Sequence, residues 1–200
     1  MNSPTIRFFY DYVDPVSYLV ELELRAVEEA SGLLVERVAF ELRAPPDAMV
    51  DPDSASWIQR LEDAAGLASD LGRSLGSQVF VPWTRKAHEL ALHAGSRSLG
   101  PAARQAIFEG VFVAGLDIGR IDVLVSLGVS LGLDSTETKA VLDVDRYSDD
   151  VVRRRDAAIA AGITQVPLLV AGEKRLEVFH NRQALNTFLH APSTPDNTTD

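Results

Sequence analysis

Residues 10–19 read Tyr10-Asp11-Tyr12-Val13-Asp14-Pro15-Val16-Ser17-Tyr18-Leu19. It joins a predicted strand directly to a predicted helix. Asp14 suits the N-cap because a carboxylate accepts the free N–H groups of a first turn, and Pro15 suits the first helical position because its missing N–H costs nothing there. Gly32 predicts the end of the helix, since glycine readily adopts a left-handed cap. The apolar face of this helix is expected to carry Leu19, Leu22, Ala26 and Ala30.

The rest of the chain predicts an α/β order. An alternating apolar run at 38–42 predicts a second strand, which gives a β-α-β opening and favours a parallel pair. From about residue 54 to about residue 163 the patterns indicate helices alone. The remaining predicted elements are strands at 166–170 and 176–179 and a short helix over 183–189.

Composition limits the classes of function. The chain has 200 residues, 46% of them hydrophobic, which suffice for one core. Its formal net charge of -10 disfavours nucleic acid and anionic membranes as partners. The start lacks the pattern of a secretory signal and no apolar run approaches the roughly 20 residues that span a bilayer, so a cytoplasmic location is expected. The count of Cys 0 excludes disulfides, thiolate nucleophiles and thiolate metal sites.

Three segments concentrate the features of a site. The helix terminus at Asp14 presents unpaired N–H groups and about half a unit of positive charge, which can hold an anion. Pro167 interrupts a run that otherwise predicts a central strand, so we expect a cis Val166–Pro167 bond close to Asp14. The third segment, 178–182, leads into the last predicted helix.

Together these segments resemble the DsbA family of thioredoxin-like proteins, in particular its branch of 2-hydroxychromene-2-carboxylate isomerases and kappa-class glutathione transferases. The helix of that family begins Cys-Pro-x-Cys in the oxidoreductases and Ser-Pro-x-Ser in this branch, and the slot here reads Asp14-Pro15-Val16-Ser17. Gln165-Val166-Pro167 resembles the family's cis-proline loop. The resemblance implies an α/β thioredoxin-like fold with an all-helical insertion domain. The implied parts are a core of 1–43 and 164–190, a helical insertion with its return helix over 44–163, and a disordered tail over 191–200.

The resemblance also implies which residues form the site. Asp14 and Ser17 are the catalytic candidates, Val166, Pro167 and Asn181 would bind a cofactor, and Tyr12 and His180 would contact substrate. Asp14 would act as a general base, or it would serve only as an N-cap whose charge repels a thiolate. Its pKa is expected to fall at a helix N-terminus. Asn181 replaces the family's Asp, so the charge that would take a γ-glutamyl amine is lost.

Two hypotheses of function stay open. The first is an isomerase or transferase acting on a small organic substrate, with glutathione or another low-molecular-weight thiol as a candidate cofactor. The alternative is a non-catalytic binding or scaffold protein derived from a thiol oxidoreductase. A dithiol oxidoreductase is excluded because the chain has no cysteine. Whether the protein forms a homodimer is left open.

A metal site is not expected at His88 and His93, which flank Glu89. The zinc-protease motif needs histidines at i and i+4 on one helix face. These histidines are at i and i+5, which places them about 140° apart around a helix.

Overall fold

The computed structural model describes residues 5–190, so the predicted disordered tail lies outside the described residues. The strands are β1 (Ile6–Tyr10), β2 (Val35–Ala39), β3 (Leu168–Ala171) and β4 (Lys174–Leu176). They form one sheet in the order β2-β1-β3-β4, in which β1 and β2 run parallel and the other neighbours antiparallel. The predicted α/β class and the parallel opening pair are confirmed.

The helices surround this sheet, and the segment between β2 and β3 is helical, as predicted. In the described part of the chain they are α1 (Pro15–Ser31), α2 (Ala55–Asp70), α3 (Arg85–Gly95), α4 (Gly100–Phe112), α5 (Ile121–Ser130), α6 (Ser135–Asp143), α7 (Ser148–Ala160) and α8 (Arg182–His190). Asp14 caps α1, and Gly32 ends it with a φ of 70°, both as predicted.

Both faces of the sheet are covered. Phe8 points to the side where the larger apolar core gathers residues of α1, α3, α4 and α8. Phe9, its neighbour, points to the opposite side because side chains alternate along a strand, and there it packs with Ala158 of α7. The last helix of the helical segment, α7, thus packs against the sheet. The predicted boundaries between core and insertion stay predictions.

The bounds of all three later strands differ from the prediction, and β3 begins at Leu168 rather than at residue 166. β2 lies earlier than predicted, although the Phe40 N–H still donates to the Tyr10 carbonyl at 2.9 Å beyond its end. β4 ends at Leu176, so Val178 and Phe179 follow the strand. Phe179 is nonetheless buried in the larger core, which explains why its apolar character resembled that of a strand residue.

The buried face of α1 also differs from the prediction. Ala26 and Ala30 are exposed, whereas Val20 and Leu24 are buried in the core. Glu21 is buried on the same helix. A glutamate was not expected there because burial of an unpaired carboxylate is costly, and it is tolerated here because arginines of two other elements pair with it.

None of the helices in residues 5–190 is both long and apolar enough to cross a bilayer.

Candidate functional site

Asp14 lies at the start of α1 with no exposed surface. Its Oδ2 accepts hydrogen bonds from the Ser17 backbone N–H at 2.8 Å and from the Ser17 hydroxyl at 2.6 Å. Ser17 is fully buried too. The two polar side chains of the motif therefore bond to each other, in the geometry of an N-cap.

Arg60, on α2, is the side-chain partner of Asp14 that sequence reasoning missed. Its Nε donates to Asp14 Oδ1 at 2.8 Å, and its Nη2 lies 2.5 Å from the same oxygen. Nη2 also donates to the Val166 carbonyl at 2.8 Å. One guanidinium thus joins a helix of the predicted insertion, the start of α1 and the loop before β3.

A signal for Arg60 exists in the sequence. Trp57 and Ala64, three residues before it and four after it, are both buried. Positions at i, i+3 and i+7 share one helix face, so Arg60 interrupts an apolar stripe. A basic residue in such a stripe indicates a carboxylate partner within the fold, and an Asp at a helix N-cap is a candidate for that partner.

The Val166–Pro167 bond is cis, the conformation that the sequence predicts. Both residues are buried. Since Arg60 contacts Asp14 and Val166 at once, the cis-proline loop lies beside the start of α1. The predicted juxtaposition of these two segments is present in the structure.

The pKa of Asp14 does not fall. Burial raises it above the ordinary value of 3.8, and the Arg60 guanidinium and the Ser17 donors offset only part of this rise. The predicted direction is wrong because loss of water outweighs the field of the helix terminus. Asp14 is the acceptor in each hydrogen bond that it forms with Ser17 and Arg60, which is the pattern of an ionised carboxylate.

A cavity of about 700 Å³, which we call the Arg60 cleft, opens beside this ion pair. It lies between the start of α1, one face of α2, the cis-proline loop and the segment after β4. Its apolar lining includes Val16, Leu67, Val166, Pro167 and Phe179. Its polar lining includes Arg60, Glu62, Asp63, Asp70, Glu177 and His180. The lining of the cleft therefore combines apolar side chains with four acidic ones.

The residues present do not fit a thiolate at the start of α1. A thiolate there would need the N–H and hydroxyl donors of Ser17, and both donate to Asp14 instead. The Asp14 carboxylate is itself the anion at that helix terminus, and like charges repel. Glutathione, the candidate cofactor implied by the resemblance, is disfavoured on this geometry.

The remaining predicted site residues divide between the cleft and the protein interior. His180 is exposed and lines the cleft. Asn181 follows it, but its Oδ1 accepts from the Ala184 N–H at 2.8 Å and so caps α8. Tyr12 is fully buried, with its ring 4.7 Å from that of His88. It is not placed to touch a ligand in the cleft.

The two histidines of the rejected zinc motif, His88 and His93, are both buried. His88 Nε2 lies 3.2 Å from Asp11 Oδ1, in the interior. Asp11 Oδ2 accepts from the Leu42 N–H at 2.6 Å and thereby ties the chain after β1 to the chain after β2. Residues 5–190 contain no group of three or more acidic or histidine side chains that could hold a metal ion.

Comparison with known proteins settles the family. The DSBA-like thioredoxin domain family matches residues 5–191. The chain belongs to this family. Among curated proteins, YwbO of Bacillus subtilis (strain 168) is 28% identical over 174 residues, which cover 84% of this chain and 86% of YwbO.

Two solved structures are similar to this DSBA-like domain. The probable DsbA oxidoreductase of Streptomyces coelicolor superposes with a TM-score of 0.78 at 23% identity, over 98% of this chain and 94% of that one. A 2-hydroxychromene-2-carboxylate isomerase superposes with a TM-score of 0.76 at 18% identity, over 92% and 91% of the two chains. At these identities the likeness establishes the fold alone. The predicted thioredoxin-like fold with a helical insertion is confirmed.

Proposed function

We propose that this protein binds a small organic molecule in the Arg60 cleft and performs no thiol–disulfide exchange. The observation that carries the proposal is the complete burial of Asp14 and Ser17, which bond to each other and to Arg60. A general base must reach the proton that it removes. Neither side chain of the motif is exposed to a ligand, which favours the binding alternative over an isomerase or transferase that uses Asp14 or Ser17.

The cleft supports a small ligand rather than a macromolecule. Its volume of about 700 Å³ lies within the range typical of small-molecule sites. Its lining combines apolar side chains with charged and polar ones, among which Arg60 is held in place by hydrogen bonds to two other elements. The acidic side chains of the lining disfavour anions such as glutathione.

A thermal-shift screen with small organic molecules tests this proposal. Ligands that bind only the folded protein raise its melting temperature, and we expect uncharged aromatic compounds to do so and glutathione not to. Gly66 lines the cleft, and a side chain added there meets nothing within 4 Å. Gly66→Leu should therefore fill the cleft and abolish the shift, whereas Ala65→Leu, an exposed neighbour, should preserve it.

Two results would overturn the proposal. One is the failure of every compound in the screen to produce a shift that Gly66→Leu removes, because the cleft would then hold none of them. The other is acceleration of insulin reduction by dithiothreitol when the pure protein is added. A chain without cysteine cannot form the mixed disulfide that such exchange requires.

A further inference from the structure

Arg60 has hydrogen-bonding capacity that the protein does not use. A guanidinium carries five N–H donors. Nε and Nη2 are engaged by Asp14 and Val166. Nη1 has no partner among residues 5–190, and the side chain keeps 34% of its surface exposed. Since Arg60 lines the cleft and keeps part of its side chain exposed, its two Nη1 donors are the ones left for a ligand there.

These free donors are fixed in direction. The bonds from Nε and Nη2 to two different elements hold the guanidinium plane, so a ligand that binds Nη1 loses little side-chain freedom on the protein's part. A second cavity, of about 790 Å³, shares Arg60, Gln165 and Val166 with the lining of the cleft.

The charges around Arg60 select the kind of acceptor. Asp14 neutralises the guanidinium within contact distance. Glu62, Asp63, Asp70 and Glu177 line the cleft, and no salt bridge joins any of the four to a cation in the part of the chain that the structure describes. A carboxylate or phosphate entering the cleft would meet repulsion without a net positive charge to compensate for it. A neutral carbonyl oxygen accepts the same hydrogen bonds without that repulsion.

We infer that the ligand of the cleft is an uncharged molecule with an apolar body and a carbonyl oxygen that accepts hydrogen bonds from Arg60 Nη1. Amides, ketones and lactones belong to this class. Asp14 is then a positioning residue, which holds Arg60 in place and cancels its charge. This inference rests on the proposed function, because it names the ligand class of the same cleft.

Titration with three probes of similar size tests the inference. Benzamide carries a neutral carbonyl, benzoate carries an anionic carboxylate, and ethylbenzene is uncharged and has no carbonyl. Amide shifts of Val16, Leu67 and His180 in two-dimensional NMR report binding in the cleft. We expect benzamide to bind about tenfold more tightly than benzoate or ethylbenzene, which is the usual effect of one satisfied hydrogen bond.

Two variants test the hydrogen bond from Arg60 and the charge of Asp14 separately. Arg60→Lys keeps a cation for Asp14 but has no planar fork, so it should weaken benzamide binding about tenfold and leave ethylbenzene binding unchanged. Asp14→Asn removes the neutralising charge and should shift the preference from benzamide towards benzoate. Asp149→Asn makes the same change in net charge at an exposed position of α7 and should alter neither preference.

The outcomes distinguish the inference from the proposed function. Benzoate binding as tightly as benzamide to the wild type, or benzamide binding unchanged in Arg60→Lys, would overturn the carbonyl inference while the cleft remained a ligand site. The absence of any shift at the cleft with all three probes would overturn both. A shift of the preference in Asp149→Asn equal to that in Asp14→Asn would show that net charge, and not Arg60, selects the ligand.

Discussion

At the scale of single residues, the Asp14 carboxylate is engaged in contacts within the protein and is not exposed to a ligand. The position is suited to an exposed anion or nucleophile because a helix begins there. In this chain the carboxylate is buried, and it contacts Ser17 on one oxygen and Arg60 on the other. Both oxygens are thus occupied by the protein itself, and the hydrogen-bonding capacity that remains at the site belongs to Arg60.

The raised pKa of Asp14 predicts how stability changes with pH. A group whose pKa is higher in the folded state than in the unfolded state stabilises most below the unfolded value, and this contribution is lost as the pH rises through the folded value. The free energy of unfolding of the wild type minus that of Asp14→Asn should therefore decrease as the pH rises above the ordinary value of 3.8.

Urea unfolding of both proteins at several pH values from about 4 to about 7 measures this difference. The comparison cancels the other titrating groups, which the two proteins share. A difference that increases with pH would mean that the pKa of Asp14 is lowered in the folded state, and that the ion pair with Arg60 outweighs burial.

At the scale of elements, the caps decide where α1 begins and ends. Gly32 has a φ of 70°, which L-residues adopt at a cost, and an added Cβ there meets nothing within 4 Å. Gly32→Ala should therefore lower the free energy of unfolding by about 1 kcal/mol through backbone strain alone. Gly66 lies inside α2 with equal space around it and no positive φ.

Gly66→Ala is thus the matched control with the opposite sign. Alanine in a helix interior is more favourable than glycine by about 0.5–1 kcal/mol, so this variant should be stabilised. Thermal and urea unfolding of the two variants measure both effects. A Gly32→Ala variant as stable as the wild type would contradict the assignment of Gly32 as a left-handed cap, and a less stable Gly66→Ala variant would contradict the open space around Gly66.

Elements with local signals were predictable, and contacts between distant elements were not. The cap at Asp14 shows the first case: its Oδ2 accepts from the Ser17 N–H at 2.8 Å, and the signal lies within four residues. The cis proline is similar, because a Pro in an apolar strand has few allowed placements. Arg60 lies 46 residues from Asp14, so nothing local indicates which carboxylate it meets.

The same reasoning explains the misjudged face of α1. Alanine at 26 and 30 fits a buried stripe by periodicity, whereas Glu21 does not. Glu21 is buried because Arg37 and Arg104 approach it from β2 and α4. Charge pairs formed by the tertiary fold can thus reverse the face that a hydrophobic pattern favours.

At the scale of the whole molecule, buried carboxylates bind the helical segment to the sheet and α1. Glu21 pairs with Arg104 of α4, Asp14 with Arg60 of α2, and Glu41 with Arg85 of α3. Each pair joins a position in the first 41 residues to a helix that lies beyond β2. Removal of one partner from such a pair leaves a buried charge without compensation, so these contacts specify how the helices sit on the sheet.

The Asp14–Arg60 pair is the one of these contacts that lies at the cleft, and a double-mutant cycle measures it directly. The cycle compares the free energies of unfolding of the wild type, Asp14→Ala, Arg60→Ala and the double variant. A cycle on Arg120 and Asp122, whose side chains are 61% and 68% exposed, is the control and should show almost no coupling.

Asp14 and Arg60 should be coupled by about 1 kcal/mol or more, because residues that share hydrogen bonds in one network do not contribute independently. Such a value would mean that Asp14 stabilises the position of Arg60. If the effects of Asp14→Ala and Arg60→Ala instead add to within about 0.3 kcal/mol, the two residues act separately, and Asp14 is not the anchor of Arg60.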